Sequence, residues 1–182
     1  AGAVTPNGAL VGELAASLSG DFMAYQSAGV EQRQAEVAEV FRGVSGLGLK
    51  YVGNPPSFEG TGQKILFPDQ VLKHRQACCL DIALLEATLL ERLGYRPLIF
   101  FLRDRERGSG HALCGVWTAD IQAQTPVLRD IASLEPLLAQ GDLLVWNSTA
   151  YFEGVGNDFQ AAEIAGLDWL KHFSYALDIA AC

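Results

Sequence analysis

Two residues of this sequence, Cys79 and His111, are of the types and in the positions that nucleophilic catalysis requires. Cys79 stands directly before an apolar run, at the point where a periodic helix is predicted to begin. The unpaired N–H groups and the macrodipole of a helix N-terminus lower the pKa of a thiol, and the thiolate is the reactive form. His111 opens a predicted strand directly after the flexible residues 108–110, where an imidazole can face a cleft. A cysteine activated by a neighbouring histidine is therefore the chemistry that we expect.

A third polar group is needed to orient the imidazole and to fix its tautomer. Asn147 directly follows the apolar strand predicted over residues 143–146, and an antiparallel neighbour can place it beside His111. Asp120 is the alternative acid, since it lies just past the strand that carries His111. We favour Asn147.

The composition sets the class of protein that can carry this site. The 182 residues have the length of a single domain, and 49% hydrophobic with 19% charged residues is typical of a well-packed globular protein. A net charge of −8 argues against a nucleic-acid surface. We find neither an apolar run long enough to span a membrane nor a signal peptide. The four cysteines show no paired spacing, so we expect a reduced, cytoplasmic setting, with delivery as a secreted effector as a further option.

The predicted elements form an α+β domain. Residues 8–49 have a mostly helical pattern that Gly43, Gly46 and Gly48 are expected to break, and residues 51–67 are expected to be loop. Helices are then predicted over 79–93, 130–140 and 159–170, and strands over 98–102, 111–118, 143–148 and 173–179. We therefore predict a helical N-terminal segment (1–50) packed on a core (51–182), within one domain.

Three segments of the core resemble the transglutaminase-like superfamily. Residues 78–97, with Cys79 near their start, look like its nucleophile helix, and His111-Ala112 looks like the start of its histidine strand. Residues 146–149 look like the strand end where the superfamily usually has an acid. Two departures are Ala77, where many relatives have Gly, and Asn147, which stands in place of the acid as in papain-like enzymes.

This resemblance implies a papain-like core, in which a central nucleophile helix packs on an antiparallel sheet, and a Cys-His-Asn/Asp triad. It is nearest to bacterial branches found inside larger multidomain proteins, so we expect this chain to be part of one. The implied activity is acyl transfer on protein or peptide amides through a thioester, by a cysteine protease, a deamidase or a transglutaminase. The alternative is a non-catalytic module of the same fold that binds a peptide or a neighbouring domain.

Further donors and ligands complete these expectations. An oxyanion hole would use the backbone N–H of Cys79 and the side chain of Gln63 or Gln76. We expect no cofactor and no metal site, because His111 and Cys114 face opposite sides of their strand and zinc requires about four convergent ligands.

Glu86 falls two turns after Cys79 on an otherwise apolar face of the predicted helix. It is either a buried functional carboxylate or a partly exposed helix position, and we favour the second.

Overall fold

The computed structural model describes residues 2–18, 29–53, 65–121 and 125–182. These residues form six α-helices: α1 (Ala9–Ser17), α2 (Val30–Ser45), α3 (Pro68–His74), α4 (Cys79–Arg92), α5 (Glu135–Gln140) and α6 (Phe159–Trp169). Their strands are β1 (Lys50–Tyr51), β2 (Gln76–Ala77), β3 (Arg96–Asp104), β4 (Ser109–Trp117), β5 (Val127–Leu128), β6 (Leu143–Trp146) and β7 (Phe173–Asp178). Short 3₁₀ turns cover Ile131–Ser133, Ala150–Glu153 and Leu170–His172. Helices and an antiparallel sheet together agree with the predicted α+β class.

The main sheet has five antiparallel strands in the order β5-β7-β3-β4-β6. Side chains alternate along β4, so that Cys114 and Val116 pack into one apolar cluster while Leu113 and Trp117 pack into another. The first cluster contains residues of α1, α2, α3 and α4, and we call that side of the sheet the helical face. The second cluster includes residues from the α5 region, and we call that side the far face.

Helix α4 lies at the centre of the fold. It packs against β3 and β4 and also contacts α1, α2 and α3. These elements cover the helix on all sides, so every residue from Leu80 to Leu90 is buried and the helix has no solvent-exposed polar face there. Val11 of α1 and Phe41 of α2 are fully buried in the same cluster as α4, so the N-terminal helices and the rest of the chain share one core.

The structure differs from the sequence-based expectations at several elements. Helix α2 continues through Gly43 and ends at Ser45, with Gly46 as its C-cap, so Gly43 does not break it. The sequence reading missed α3, which starts with Pro68 at its first position. It also placed Tyr51 in a loop, whereas Tyr51 lies in β1, which pairs in parallel with β2. In the described ranges, no helix is both long and apolar enough to cross a bilayer.

Candidate active site

The start of α4 holds Cys79 in place. Cys78 is the N-cap residue, and its backbone N–H donates to Asp81 Oδ2 at 3.0 Å, while its side chain accepts from the Asp81 N–H in return. The other oxygen of Asp81 accepts from the backbone N–H of Leu66 at 2.9 Å. Cys79 is therefore the first residue of a well-capped central helix, and its side chain is partly exposed whereas Cys78 is buried.

Asn147 and His111 meet beside this helix start. Asn147 Oδ1 accepts from the backbone N–H and the hydroxyl of Thr149, at 3.1 and 2.9 Å. His111 Nε2 lies 3.0 Å from the same Oδ1. Since the N–H of Thr149 can only donate, the Asn147 atom is an oxygen and His111 Nε2 must carry a proton. Because Asn147 occupies Nε2, Nδ1 is the nitrogen of His111 that is available to the Cys79 side chain, which raises the pKa of the ring.

Three contacts with α6 fix this geometry. The ring of Trp169 lies against the His111 ring, with centroids 4.7 Å apart. The backbone N–H of Asn147 donates to the Ala162 carbonyl of α6 at 2.9 Å. Gly166 of α6 touches the backbone of Trp146 and Asn147 so closely that a Cβ there would lie 2.7 Å from Trp146 Cα. Helix α6 thus holds both the imidazole and its acceptor.

The pKa of Cys79 is lowered, whereas the pKa values of the two buried cysteines, Cys78 and Cys114, are raised. A hydrogen bond from the Cys78 thiol, the hydrogen bond and charge of His111, and the Ala112 backbone lower the pKa of Cys79 to about 4, against the opposing effect of burial. The hydrogen bond to Cys79 and burial raise the pKa of Cys78, and burial raises that of Cys114. Burial lowers the pKa of His111, but the hydrogen bond and charge of Cys79 and the hydrogen bond to Asn147 outweigh it, and the net shift is upward. The arrangement favours a thiolate–imidazolium pair.

The remaining predicted residues lie elsewhere. Asp120 is exposed and follows the other end of β4 from His111. The six steps along the strand from His111 to Trp117 alone span roughly 20 Å. Gln76 is exposed on β2 and pairs with Lys50. Gln63 lies outside the described residues.

Tyr51 is a site residue that the sequence reading missed. Burial and then the charge of Cys79 raise the pKa of its hydroxyl, so the hydroxyl lies near the Cys79 side chain although the two residues are 28 positions apart in the sequence. The contact depends on the parallel pairing of β1 with β2, in which Tyr51 lies opposite Ala77. Two-residue strands leave no periodic pattern, so no sequence signal marked this tyrosine.

The preferred interpretation of Glu86 as a partly exposed residue is wrong, since its exposure is 0%. Its Oε2 accepts from Trp146 Nε1 at 2.9 Å and from the Ser148 hydroxyl at 2.5 Å. Its Oε1 has no hydrogen-bond partner among the described residues. Burial raises the pKa of Glu86 to about 8, although both hydrogen bonds lower it. Glu86 therefore holds the residues on either side of Asn147.

In the part of the chain that the structure describes, no group of three or more His, Cys, Asp or Glu side chains is arranged to hold a metal ion. Comparisons of the chain with protein families, with curated proteins and with solved structures find no match.

Proposed function

We propose that this chain is a thiol-dependent acyl-transfer enzyme that acts on protein or peptide amides, with a papain-like core. One observation carries the proposal. His111 Nε2 lies 3.0 Å from Asn147 Oδ1, and the Cys78 thiol together with the same His111 ring lowers the pKa of Cys79. Nucleophile, base and orienting group are the parts that cysteine-based acyl transfer needs. The position of Cys79 at the first residue of a central helix, packed on an antiparallel sheet, supports the papain-like core.

The proposed reaction proceeds in two steps. The Cys79 thiolate attacks the amide carbonyl, and the carbonyl π electrons move to oxygen. The imidazolium of His111 then protonates the leaving amine as its C–N bond breaks, which leaves a thioester on Cys79. In the second step His111 removes a proton from water or from a second amine, which attacks the thioester carbonyl. The acyl C–S bond then breaks, which releases the Cys79 thiolate beside the imidazolium. Water on a backbone amide gives peptide cleavage, water on a glutamine side chain gives deamidation, and an amine gives cross-linking.

Asn147 would act through His111 and not on the substrate. Its Oδ1 accepts the Nε2 proton, which keeps Nδ1 directed at the sulfur. A neutral amide in this position stabilises an imidazolium less than a carboxylate would, because it supplies a dipole and not a charge.

The test is alkylation of the native protein by limiting iodoacetamide between pH 5 and 9, with peptide mapping. Cys79 should react at near its full rate at pH 6, because its pKa of about 4 leaves it ionised there. Cys182 is exposed and serves as the internal reference, while Cys114 is buried and should remain unlabelled. His111→Ala should slow the labelling of Cys79 at pH 6 by at least roughly tenfold, and Asn147→Ala should slow it less.

Slow labelling of Cys79, equal to that of Cys182 at every pH, would contradict the proposal. The chain would then be better explained as a non-catalytic module that binds a peptide or a neighbouring domain, since such a role needs no ionised thiol.

A further inference from the structure

The hydroxyl of Tyr51 is held against the nucleophile by the two-stranded parallel sheet. The backbone N–H of Lys50 donates to Arg75 O at 2.8 Å, and that of Val52 donates to Ala77 O at 2.9 Å. These bonds fix the Tyr51 backbone beside the chain that enters α4. The Tyr51 ring lies against the ring of Phe152, with centroids 5.4 Å apart. Burial raises the pKa of its hydroxyl, and so does the charge of Cys79, which places the hydroxyl beside the Cys79 side chain.

We infer that the Tyr51 hydroxyl and the backbone N–H of Cys79 together donate hydrogen bonds to the oxyanion of the tetrahedral intermediate. This inference rests on the function proposed above. It assigns to Tyr51 the side-chain donor role that the sequence analysis expects of a glutamine. Gln76 is exposed on the neighbouring strand and has no hydrogen bond to the nucleophile among the described contacts.

The geometry follows from the bonds that the reaction makes. When the Cys79 sulfur attacks a carbonyl carbon, an S–C bond forms and the carbonyl π pair moves onto oxygen. That oxygen is joined to the sulfur through a single carbon atom, so a hydroxyl that lies beside the Cys79 side chain can also reach the oxygen. Cys79 is the first residue of α4, where a backbone N–H has no partner within the helix. Both donors therefore lie beside the position where the charge develops.

The protonation state of Tyr51 suits a donor. Burial, followed by the charges of Cys79 and Cys78, raises its pKa to about 12. The phenol consequently keeps its proton throughout the pH range in which the Cys79 thiolate and the His111 imidazolium coexist. Its side chain is 42% exposed, so a substrate carbonyl can approach it from solvent.

The experiment compares two reactions of the same thiol at pH 7. Acylation by p-nitrophenyl acetate passes through an oxyanion: the thiolate attacks, the carbonyl re-forms, and the C–O bond to p-nitrophenolate breaks. Alkylation by iodoacetamide displaces iodide at an sp³ carbon and forms no oxyanion. Tyr51→Phe should slow acylation roughly 10²-fold while it changes alkylation by less than about twofold. Cys79→Ala gives the background rate of both reactions. Tyr175→Phe is the matched control, because it removes the hydroxyl of a tyrosine whose ring stacks on Phe101.

Each outcome decides the role of Tyr51. A fall in acylation alone supports the oxyanion role. Equal falls in both rates would overturn it, because Tyr51 would then act on the thiol itself, and two unchanged rates would also overturn it. If wild-type Cys79 is neither acylated nor alkylated faster than Cys182, the proposed function fails, and this inference fails with it.

Discussion

The two faces of the five-stranded sheet each bury one carboxylate beneath a tryptophan. On the helical face Trp146 Nε1 donates to Glu86 at 2.9 Å, and on the far face Trp117 Nε1 donates to Asp178 at 2.9 Å. Both carboxylates have 0% exposure. Burial and the principal donor are thus the same on the two faces, and the remaining partners make the difference.

Asp178 forms an ion pair, whereas Glu86 receives only neutral donors among the described residues. Arg96 Nη2 lies 3.2 Å from Asp178 Oδ2, while the second bond to Glu86 comes from the Ser148 hydroxyl. Without a cation, burial raises the pKa of Glu86 to about 8, so at pH 7 it is mainly a neutral acid. On the far face, the ion pair and the Trp117 hydrogen bond of Asp178 join neighbouring strands. On the helical face, the neutral hydrogen bonds of Glu86 hold the residues on either side of Asn147. The same arrangement, a tryptophan N–H that donates to a buried carboxylate, therefore joins strands on one face and supports the candidate site on the other.

Removal of the Asp178 carboxylate should give the largest loss of stability. Asp178→Ala leaves Arg96 Nη2 and the Trp117 N–H without their carboxylate acceptor, which should reduce the free energy of unfolding by about 3–4 kcal/mol. Urea unfolding at pH 7 measures the loss. The alkylation rate of Cys79 in the folded fraction should not change, because the described hydrogen bonds of the Asp178 side chain do not involve Cys79, His111 or Asn147.

Asp168→Ala is the matched control. Asp168 also pairs with a cation, Lys171 at 3.0 Å, but its side chain is 73% exposed, so its removal should change the stability by less than about 1 kcal/mol. A loss of Cys79 reactivity in folded Asp178→Ala would contradict the conclusion that the far face serves stability alone.

The sequence was sufficient to locate the parts of the site that stand at element boundaries. Cys79, His111 and Asn147 each lie where an apolar run begins or ends, and such boundaries are visible in local pattern. The structure then brings the three side chains together. Order and type were also readable for α4, α6 and the long strands, because each has a sustained apolar pattern.

Features that depend on tertiary contacts could not be predicted from the sequence. Glu86 was interpreted as partly exposed because a polar residue on a helix usually marks its solvent side, and α4 has no solvent side between Leu80 and Leu90. Tyr51 reaches Cys79 only through a pairing of two-residue strands. Asp120 lies far from His111 because it follows the opposite end of β4. The length and the direction of that strand are not specified by the residues around His111.

The second-largest effect concerns the pH dependence of stability, which should reveal the raised pKa of Glu86. The folded-state pKa of Glu86, about 8, lies above the ordinary value of 4.5, so its contribution to stability is full below pH 4.5 and is lost as pH rises through 8. Glu86→Gln keeps the shape and the acceptor but cannot ionise. Between pH 6 and pH 9 the wild type should lose about 2–3 kcal/mol more stability in urea than this variant.

Glu39→Gln controls for the removal of a carboxylate in general. Glu39 is partly exposed and pairs with Arg42, so this variant should follow the wild-type pH dependence. Parallel stability curves for wild type and Glu86→Gln would show that Glu86 is ionised at both pH values, and the contrast between the two faces would disappear.

The smallest expected effect tests how closely α6 supports Asn147. A Cβ at Gly166 would lie 2.9 Å from the Trp146 carbonyl carbon and 3.0 Å from Asn147 N, and both are backbone atoms that can yield only by moving the strand end. Gly166→Ala should therefore cost about 1–2 kcal/mol of stability and slow Cys79 alkylation several-fold at pH 6. Gly12→Ala is the matched change in α1, where the nearest atom is the movable Arg92 guanidinium at 3.2 Å, and it should leave the alkylation rate unchanged. If Gly166→Ala lowers stability while Cys79 reacts at the wild-type rate, the position of Asn147 does not control the thiol. Support of the site by the helical face would then rest on Glu86 alone.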